Sequence, residues 1–198
     1  AQSLLDPGAR EEHQIFEAGG FKRLAQLDYL ERPIPRFQTI TSPKLDDDVT
    51  IELWNPSERK KMISLLESTY KDTLDCPGLT GMRSTENILE GHIASGVFTP
   101  KWWHVLHVDG KAEGVALFNR SSDGNTIELV YLGISRGIRG RGLGKILLTH
   151  GISKLDGESG RAIVLAVDRE NSPALHLYRR LGFRISVRRI AYVRQVPT

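Results

Sequence analysis

From Val49 onward the chain alternates short apolar runs with longer stretches of helical periodicity. Val49 to Trp54 is apolar and β-branched, which predicts a strand. Asn55-Pro56-Ser57 followed by Glu58 marks a helix start. Met62, Leu65, Leu66 and Thr69 then recur at helical spacing, so residues 57–71 are predicted as an amphipathic helix. Cys76-Pro77-Gly78 breaks the pattern. Ser84 is the expected N-cap of a second helix, with Asn87 at its third position and Ile88, His92 and Ile93 facing inward. Two strand-like runs, Trp102 to Val108 and Ala112 to Phe118, flank Asp109-Gly110, the signature of a hairpin. Asp123-Gly124 makes another turn before the strand Thr126 to Ile134.

That strand leads into Arg139-Gly140-Arg141-Gly142-Leu143-Gly144 and then a helical pattern from Lys145, with Leu143, Ile146, Leu147 and His150 on one face and an end near Asp156-Gly157. Ala162 to Val167 reads as a short buried strand. Ser172 is read as the cap of the next helix, with Pro173 in its first position, Leu175, Tyr178 and Leu181 on the inner stripe, and Gly182 at its end. Phe183 to Val196 is β-rich, with a bend expected near Ser186. The order from Val49 is βααβββαβαββ, an α/β (α+β) chain with a mixed sheet flanked by helices.

The glycine loop changes this from a fold to a candidate site. A strand that delivers a glycine-rich turn into a helix N-terminus leaves several backbone N–H groups pointing outward, in the positive field of the helix dipole. Such a turn is a pyrophosphate cradle. It does not read as a dinucleotide fingerprint, because it lies late in the chain, after an antiparallel hairpin, and Asp168 is a poor fit for the ribose carboxylate. It is not a Walker A loop, since no Gly-Lys-Ser/Thr follows.

Composition narrows the classes further. A chain of 198 residues with 39% hydrophobic and 26% charged residues suits one globular domain with an appendage. Cys76 is the lone cysteine, which excludes an intrachain disulfide framework and favours a reducing, cytoplasmic compartment. No apolar run reaches the ~20 residues of a membrane span, and no signal segment is visible; Ala1 in place of Met implies processing or trimming. The formal charge of +3 and the late arginines (Arg136, Arg139, Arg141, Arg179, Arg180, Arg184, Arg188, Arg189, Arg194) suit a polyanionic cofactor and support nucleic-acid binding only weakly. The six His are scattered without ligand spacing, so no metal site is expected.

A partial repeat adds organisation. A shift of 162 residues places Asp6 on Asp168, Ile15 on Leu177, Phe16 on Tyr178, Gly20-Phe21 on Gly182-Phe183 and Lys22 on Arg184. One inserted residue later, Leu27 and Tyr29 fall on Ile190 and Tyr192. Either any helix–Gly–Phe–strand unit looks alike, or residues 1–35 are the helix-plus-strand tail of a first domain copy. In the second case 36–48, within a Pro-rich and acidic stretch from Glu31 to Asp48, is a linker, and 49–198 is the main domain.

The pattern Arg139-x-x-Gly142-x-Gly144 resembles the acetyl-CoA signature of the GCN5-related N-acetyltransferase (GNAT) family. Asn171-Ser172-Pro173-Ala174-Leu175-His176-Leu177-Tyr178-Arg179-Arg180-Leu181-Gly182-Phe183 resembles the second motif of that family, Asn-x-x-Ala-x-x-x-Tyr-x-x-x-Gly-Phe. The resemblance covers residues 49–198, and the repeat resembles its tandem, two-copy members. It implies a mixed, mostly antiparallel GNAT-like sheet and a single site for acetyl-CoA as cosubstrate. The backbone N–H groups of Arg139, Gly140, Arg141, Gly142, Leu143, Gly144 and Lys145 would hold the CoA pyrophosphate, and the strand edge Leu132, Gly133 and Ile134 would pair with the pantetheine arm. The N–H near Leu132 would polarise the thioester carbonyl.

By the same resemblance Asn171 contacts the cofactor, Tyr178 protonates the leaving thiolate and Glu128 removes the amine proton. The bland alternatives are a turn residue at Asn171, a core aromatic at Tyr178 and an ordinary strand carboxylate at Glu128. His104, His107 and Tyr131 are runners-up for the base. Ser135-Arg136 departs from the Asp-Pro of many relatives. The acceptor region, roughly Tyr70 to Arg83 with Trp102 and Trp103, carries no readable motif. The expected partner is a small-molecule or peptide primary amine, with no nucleic acid and no membrane; a homodimer is allowed for. The rival reading is a non-catalytic CoA-binding or regulatory module.

Overall fold

The computed structural model describes residues 1–34, 41–155 and 161–195. In chain order the elements are β1 (Gln2–Leu5), α1 (Arg10–Ala18), β2 (Lys22–Pro33), β3 (Val49–Leu53), α2 (Arg59–Tyr70), α3 (Thr85–Ala94), β4 (Trp103–Val108), β5 (Lys111–Arg120), β6 (Thr126–Ile134), α4 (Leu143–Ser153), β7 (Ala162–Asp168), α5 (Ser172–Arg180) and β8 (Arg184–Val193). They divide into two units. The loop-bearing unit comprises the described residues of Arg32–Thr73 and Arg83–Val164; the terminal unit comprises Ala1–Glu31, Leu74–Met82 and the described residues from Leu165 onward.

In the loop-bearing unit β3, β4, β5 and β6 pair antiparallel in sequence order, and β6 pairs parallel with the start of β7. The mostly antiparallel, mixed pairing with flanking helices is the expected fold class. The β4–β5 hairpin turns through Asp109 and Gly110, both at positive φ, which matches the right-handed strand twist. Helix α2 buries Met62, Leu65, Leu66 and Thr69, the four residues its periodicity selects. Met62, Leu65 and Leu66 join Trp54, Leu89, Trp103, Val105, Val115 and Leu117 in one apolar cluster, in which the Trp54 and Trp103 rings stack at 5.0 Å. In α3 the fully buried residue is Leu89, while Ile88, His92 and Ile93 are only half-covered. Ser84 does cap α3, its Oγ accepting from Asn87 N–H at 3.3 Å.

In the terminal unit β8 lies between β1 and β2, antiparallel to both. The sequence pattern does not announce β1, and β2 runs through Pro33, into the Pro-rich stretch that opens at Glu31. The two final strands expected after Gly182 are one strand, β8, with its pairing to β2 shifted between Tyr29 and Leu30 so that Ser186 has no residue opposite it. The expected bend at Ser186 is this bulge, and Ser186 Oγ donates to Tyr29 O at 3.2 Å.

The repeat is visible in hydrogen bonds as well as in residues. Phe21 N–H donates to Phe16 O at 3.0 Å, and Phe183 N–H donates to Tyr178 O at 3.0 Å. Gly20 (φ 78°) and Gly182 (φ 86°) close the two helices in the left-handed conformation. Upstream, Gly8 N–H bonds Asp6 Oδ1 at 2.9 Å and Glu170 N–H bonds Asp168 Oδ1 at 3.0 Å. The β2–β8 pairs Gln26↔Ile190 and Leu27↔Arg189 exchange under the repeat, so β1-α1-β2 and the end of β7 with α5 and β8 are related by a local pseudo-twofold.

Helix α4 begins at Leu143, earlier than the Lys145 expected, because Gly142 (φ 79°) is its cap residue. Residues 35–40, the expected helix end at Asp156-Gly157, and Val196 lie outside the described residues. Among the described residues no helix is long and apolar enough to cross a membrane, and no group of three or more His, Cys, Asp or Glu could hold a metal ion.

Candidate active site

Strand β6 places the loop. Its ladder with β7 consists of Thr126↔Ala162, Ile127↔Ile163 and Glu128↔Val164, yet β6 continues to Ile134. Leu132, Gly133 and Ile134 keep their β5 partners Ala116, Val115 and Gly114 and extend beyond that last β7 pair. A register shift opposite Leu117 and Phe118 leaves Val130 as an extra residue just before Tyr131.

After β6 a short turn, Arg136–Ile138, leads to the glycines. Gly140 (φ 85°) and Gly142 (φ 79°) hold a conformation that a side chain would resist, and a Cβ at either would meet nothing within 4 Å, so the space over the loop is open. At the edges of the loop the N–H groups turn inward: Arg139 N–H donates to Arg136 O at 3.3 Å and Lys145 N–H to Gly142 O at 3.0 Å. The N–H groups of Gly140, Arg141, Gly142, Leu143 and Gly144 have no such partner among the described residues. Five donors in sequence at the first turn of α4 form an anion cradle whose chemistry suits a pyrophosphate.

The loop arginines are engaged by the protein itself. Arg136 Nη1 meets Asp72 Oδ2 at 2.6 Å and Arg141 Nη2 meets Asp48 Oδ2 at 3.1 Å. Arg139 bonds only main-chain carbonyls: Ile134 O from Nε at 3.0 Å, Asp72 O from Nη1 at 2.9 Å, and Thr69 O and Lys71 O from Nη2 at 2.8 and 2.9 Å. Lys145 is exposed.

Beside the loop, the end of α2 and α3 carry an aromatic sandwich. Tyr131 lies between Tyr70 (ring centroids 4.7 Å apart, 14° between planes) and His92 (5.2 Å, 20°). Burial pulls the His92 imidazole down to about 4, so it is neutral at pH 7, and it shares a 3.1 Å hydrogen bond with Tyr70 Oη. Tyr131 Oη donates to Thr69 Oγ1 at 3.0 Å. The Tyr131 ring folds over Gly133, where a Cβ would stand 2.6 Å from the Tyr131 hydroxyl oxygen and 2.8 Å from Thr69 Cβ.

Glu128 is half-buried and accepts from Ser95 Oγ at 2.9 Å, at the end of α3. Ser95 is held in turn by Asn119, whose Nδ2 donates to Ser95 O and His92 O, both at 2.8 Å. Neither Ser95 nor Asn119 carries a sequence signal of this role. Among the runners-up, His104 is buried on β4 with its ring 5.1 Å from that of His150, and burial, with His150 and Lys154 nearby, lowers it to about 4. His107 is half-buried on the same strand. Trp102 and Trp103 are both fully buried.

In the terminal unit Tyr178 is buried, its ring 5.8 Å from Phe183. Asn171, rather than Ser172, caps α5, its Oδ1 accepting from Ala174 N–H at 3.3 Å. Pro173 suits the first helical position, which points to Ser172 as the cap, but the helix starts one residue earlier, at Ser172 itself. The terminal unit also holds a polar cluster of Asp75, Cys76 and Asp168. Asp168 N–H donates to Asp75 Oδ1 at 2.8 Å, and Cys76 N–H donates to Asp168 Oδ2 at 3.2 Å. Burial, with Asp75 and Asp168 nearby, pushes the Cys76 thiol up to about 12, which makes it a poor nucleophile.

The chain is similar to several curated and solved proteins. It is 27% identical over 176 residues to the mycothiol acetyltransferase of Streptomyces avermitilis, covering 88% of this chain and 54% of that protein. A shorter stretch of 56 residues is 45% identical to the mycothiol acetyltransferase of an Arthrobacter species, covering 28% of this chain and 17% of that protein. The chain spans about half the length of the curated relatives that it matches over most of its own length. Its fold is similar to that of a GCN5-related N-acetyltransferase from Sphaerobacter thermophilus (TM-score 0.68, 20% identity, 96% of this chain and 58% of that one). It is also similar to a tandem GNAT protein from the clavulanic acid biosynthesis pathway (TM-score 0.65, 13% identity, 97% of this chain and 62% of that one). Residues 67–183, more than half of the chain, match the model of the Acetyltransferase (GNAT) family, and the chain belongs to that family.

Proposed function

We propose that the chain is an acetyl-CoA-dependent N-acetyltransferase that passes an acetyl group directly to a primary amine of a small molecule or peptide. One observation carries the reading: five consecutive N–H donors, Gly140 to Gly144, lie open at the start of α4, one short turn after a strand that outruns its last β7 pair by six residues. The cradle suits the CoA pyrophosphate, and the β6 segment Leu132–Ile134 suits the amide-bearing arm as an added strand.

In the reaction the amine nitrogen attacks the thioester carbonyl and forms the new C–N bond. Glu128, directly or through a water, takes the amine proton. The C–S bond then breaks, and Tyr178 gives a proton to the CoA thiolate. The Asn171 Oδ1–Ala174 bond orients the Asn171 side chain, which we assign to the cofactor. Residues 1–35 are the tail of a first GNAT copy, supported by the doubled Asx and helix-closing hydrogen bonds of the terminal unit. The position matching Tyr178 there is Phe16, which has no hydroxyl, so the proposed chemistry belongs to the second copy. A lone, inert Cys76 suits a cytoplasmic setting.

Thermal shift with acetyl-CoA tests the cofactor; at a hundredfold excess over Kd it should add about 2.7 kcal/mol, and no stabilisation sinks the reading. Thiol release over a panel of amines tests the transfer, with mycothiol-related amines first because of the name those relatives carry. Tyr178→Phe should lower turnover about a hundredfold or more; unchanged activity removes Tyr178 from the mechanism.

A further inference from the structure

The last turn of helix α2, Glu67 to Tyr70, contains no basic residue, and Lys71 follows it as the cap residue. The carbonyls that close a helix carry partial negative charge and need donors. Here they receive them from seventy residues away. Arg139 Nη2 serves Thr69 O and Lys71 O, Nη1 serves Asp72 O, and Nε returns to Ile134 O on β6. One rigid, charged fork therefore bridges the end of α2 and the start of the glycine loop. Two further contacts join the same segments. Arg136 pairs with Asp72 at 2.6 Å, and Ser68 Oγ and Ser135 Oγ lie 2.8 Å apart. Asp72 itself has φ 51°, in the left-handed region that Asp tolerates better than most side chains.

We propose that the Arg139 side chain is a positioning group rather than a phosphate ligand: it ties the Thr69–Thr73 segment to the glycine loop, so that filling the loop and ordering that segment are coupled. The segment contains Tyr70 of the aromatic sandwich, so the same tie transmits cofactor occupancy to the side from which we expect the acceptor. The tie itself needs no ligand; the coupling rests on the cofactor reading above. Coupling is reciprocal, so whatever orders the Thr69–Thr73 segment tightens CoA binding by the same factor.

Amide hydrogen exchange on the full chain, with CoA as the probe, tests this. The reporter is Thr73 N–H, which bonds Tyr70 O at 3.1 Å. Without CoA, Arg139→Met should speed exchange at Thr73 by about fivefold or more, within the usual range of coupling energies. With saturating CoA, exchange at Thr73 in the wild type should slow by a similar factor, about fivefold. That response should vanish in Arg139→Met, while its Kd for CoA, by calorimetry, moves by no more than this factor. Arg139→Lys keeps the charge without the fork; it should lose the response as well, and it carries the comparison if the Met variant does not fold.

An undiminished CoA response in either variant overturns the coupling. A loss of CoA affinity of about a hundredfold in Arg139→Met, restored by Lys, would make the group a direct anion ligand and overturn the proposal. If the wild type binds no CoA, the cofactor reading and the coupling fall together; unchanged Thr73 exchange in CoA-free Arg139→Met removes the tie itself.

Discussion

Ser95 Oγ donates a 2.9 Å hydrogen bond to Glu128 Oε2, reaching from the residue that closes α3 to a carboxylate on β6. The serine is not free to drift, because Asn119 holds its carbonyl. The contact gives the carboxylate one defined orientation. Glu128→Gln should lower thiol release with a reactive amine by about a hundredfold or more. Ser95→Ala should lower it about tenfold, and the double variant should be no worse than Glu128→Gln alone, since the serine acts through the carboxylate. Steady-state kinetics on the three proteins decide this; additive losses would mean that Ser95 works elsewhere.

Asn119 is the most connected buried polar side chain of the loop-bearing unit. It is wholly buried on β5; its Oδ1 accepts from Trp103 Nε1 at 2.9 Å and Thr99 N–H at 3.4 Å, and its Nδ2 serves His92 O and Ser95 O. Asn119→Ala leaves several buried groups without partners, each costing about 1–3 kcal/mol. We expect a loss of about 3 kcal/mol or more in urea denaturation, with Asn119→Asp also destabilised because it cannot donate to two carbonyls. A loss below 1 kcal/mol would show that the network can rearrange.

Stability should fall on mild acidification. Burial, then His150 and Lys154, hold the His104 imidazole down at about 4 against 6.5. The folded chain therefore favours the neutral ring, while the unfolded chain takes up a proton once pH drops below 6.5. Stability from this source is whole above pH 6.5 and declines until the folded ring also protonates near pH 4. The shift corresponds to roughly 3 kcal/mol, and His92, also held low by desolvation, should add a loss of the same sign. Denaturation at pH 7, 5.5 and 4.5 should show a shallower decline for His104→Gln than for the wild type; parallel slopes would sink the assignment.

Gly133 is required by close approach. A methyl there would collide with the Tyr131 ring and with Thr69. Gly133→Ala should cost about 1–3 kcal/mol and push Tyr131 out from between Tyr70 and His92. The ring-current shifts of the two tyrosines report the change by NMR. Unaltered spectra with full stability would mean that the ring has another place to lie.

Much of this was legible in the sequence because its cause is local. Helical spacing alone selects Met62, Leu65, Leu66 and Thr69, since one face of a helix must be buried. Asp109-Gly110 specifies its hairpin and Gly140 and Gly142 their loop, because those backbone angles disfavour most side chains. The family motifs are of the same kind, short runs whose residues act within one turn and its flanking elements. What the tertiary structure decided are the relationships between distant residues. Arg139 stands in the loop motif, but its side chain meets Thr69 O across 70 positions; Glu128 meets Ser95 across 33. No periodicity encodes such pairs, because a hydrogen bond needs only that two groups meet in space, and the packed elements alone determine which groups do.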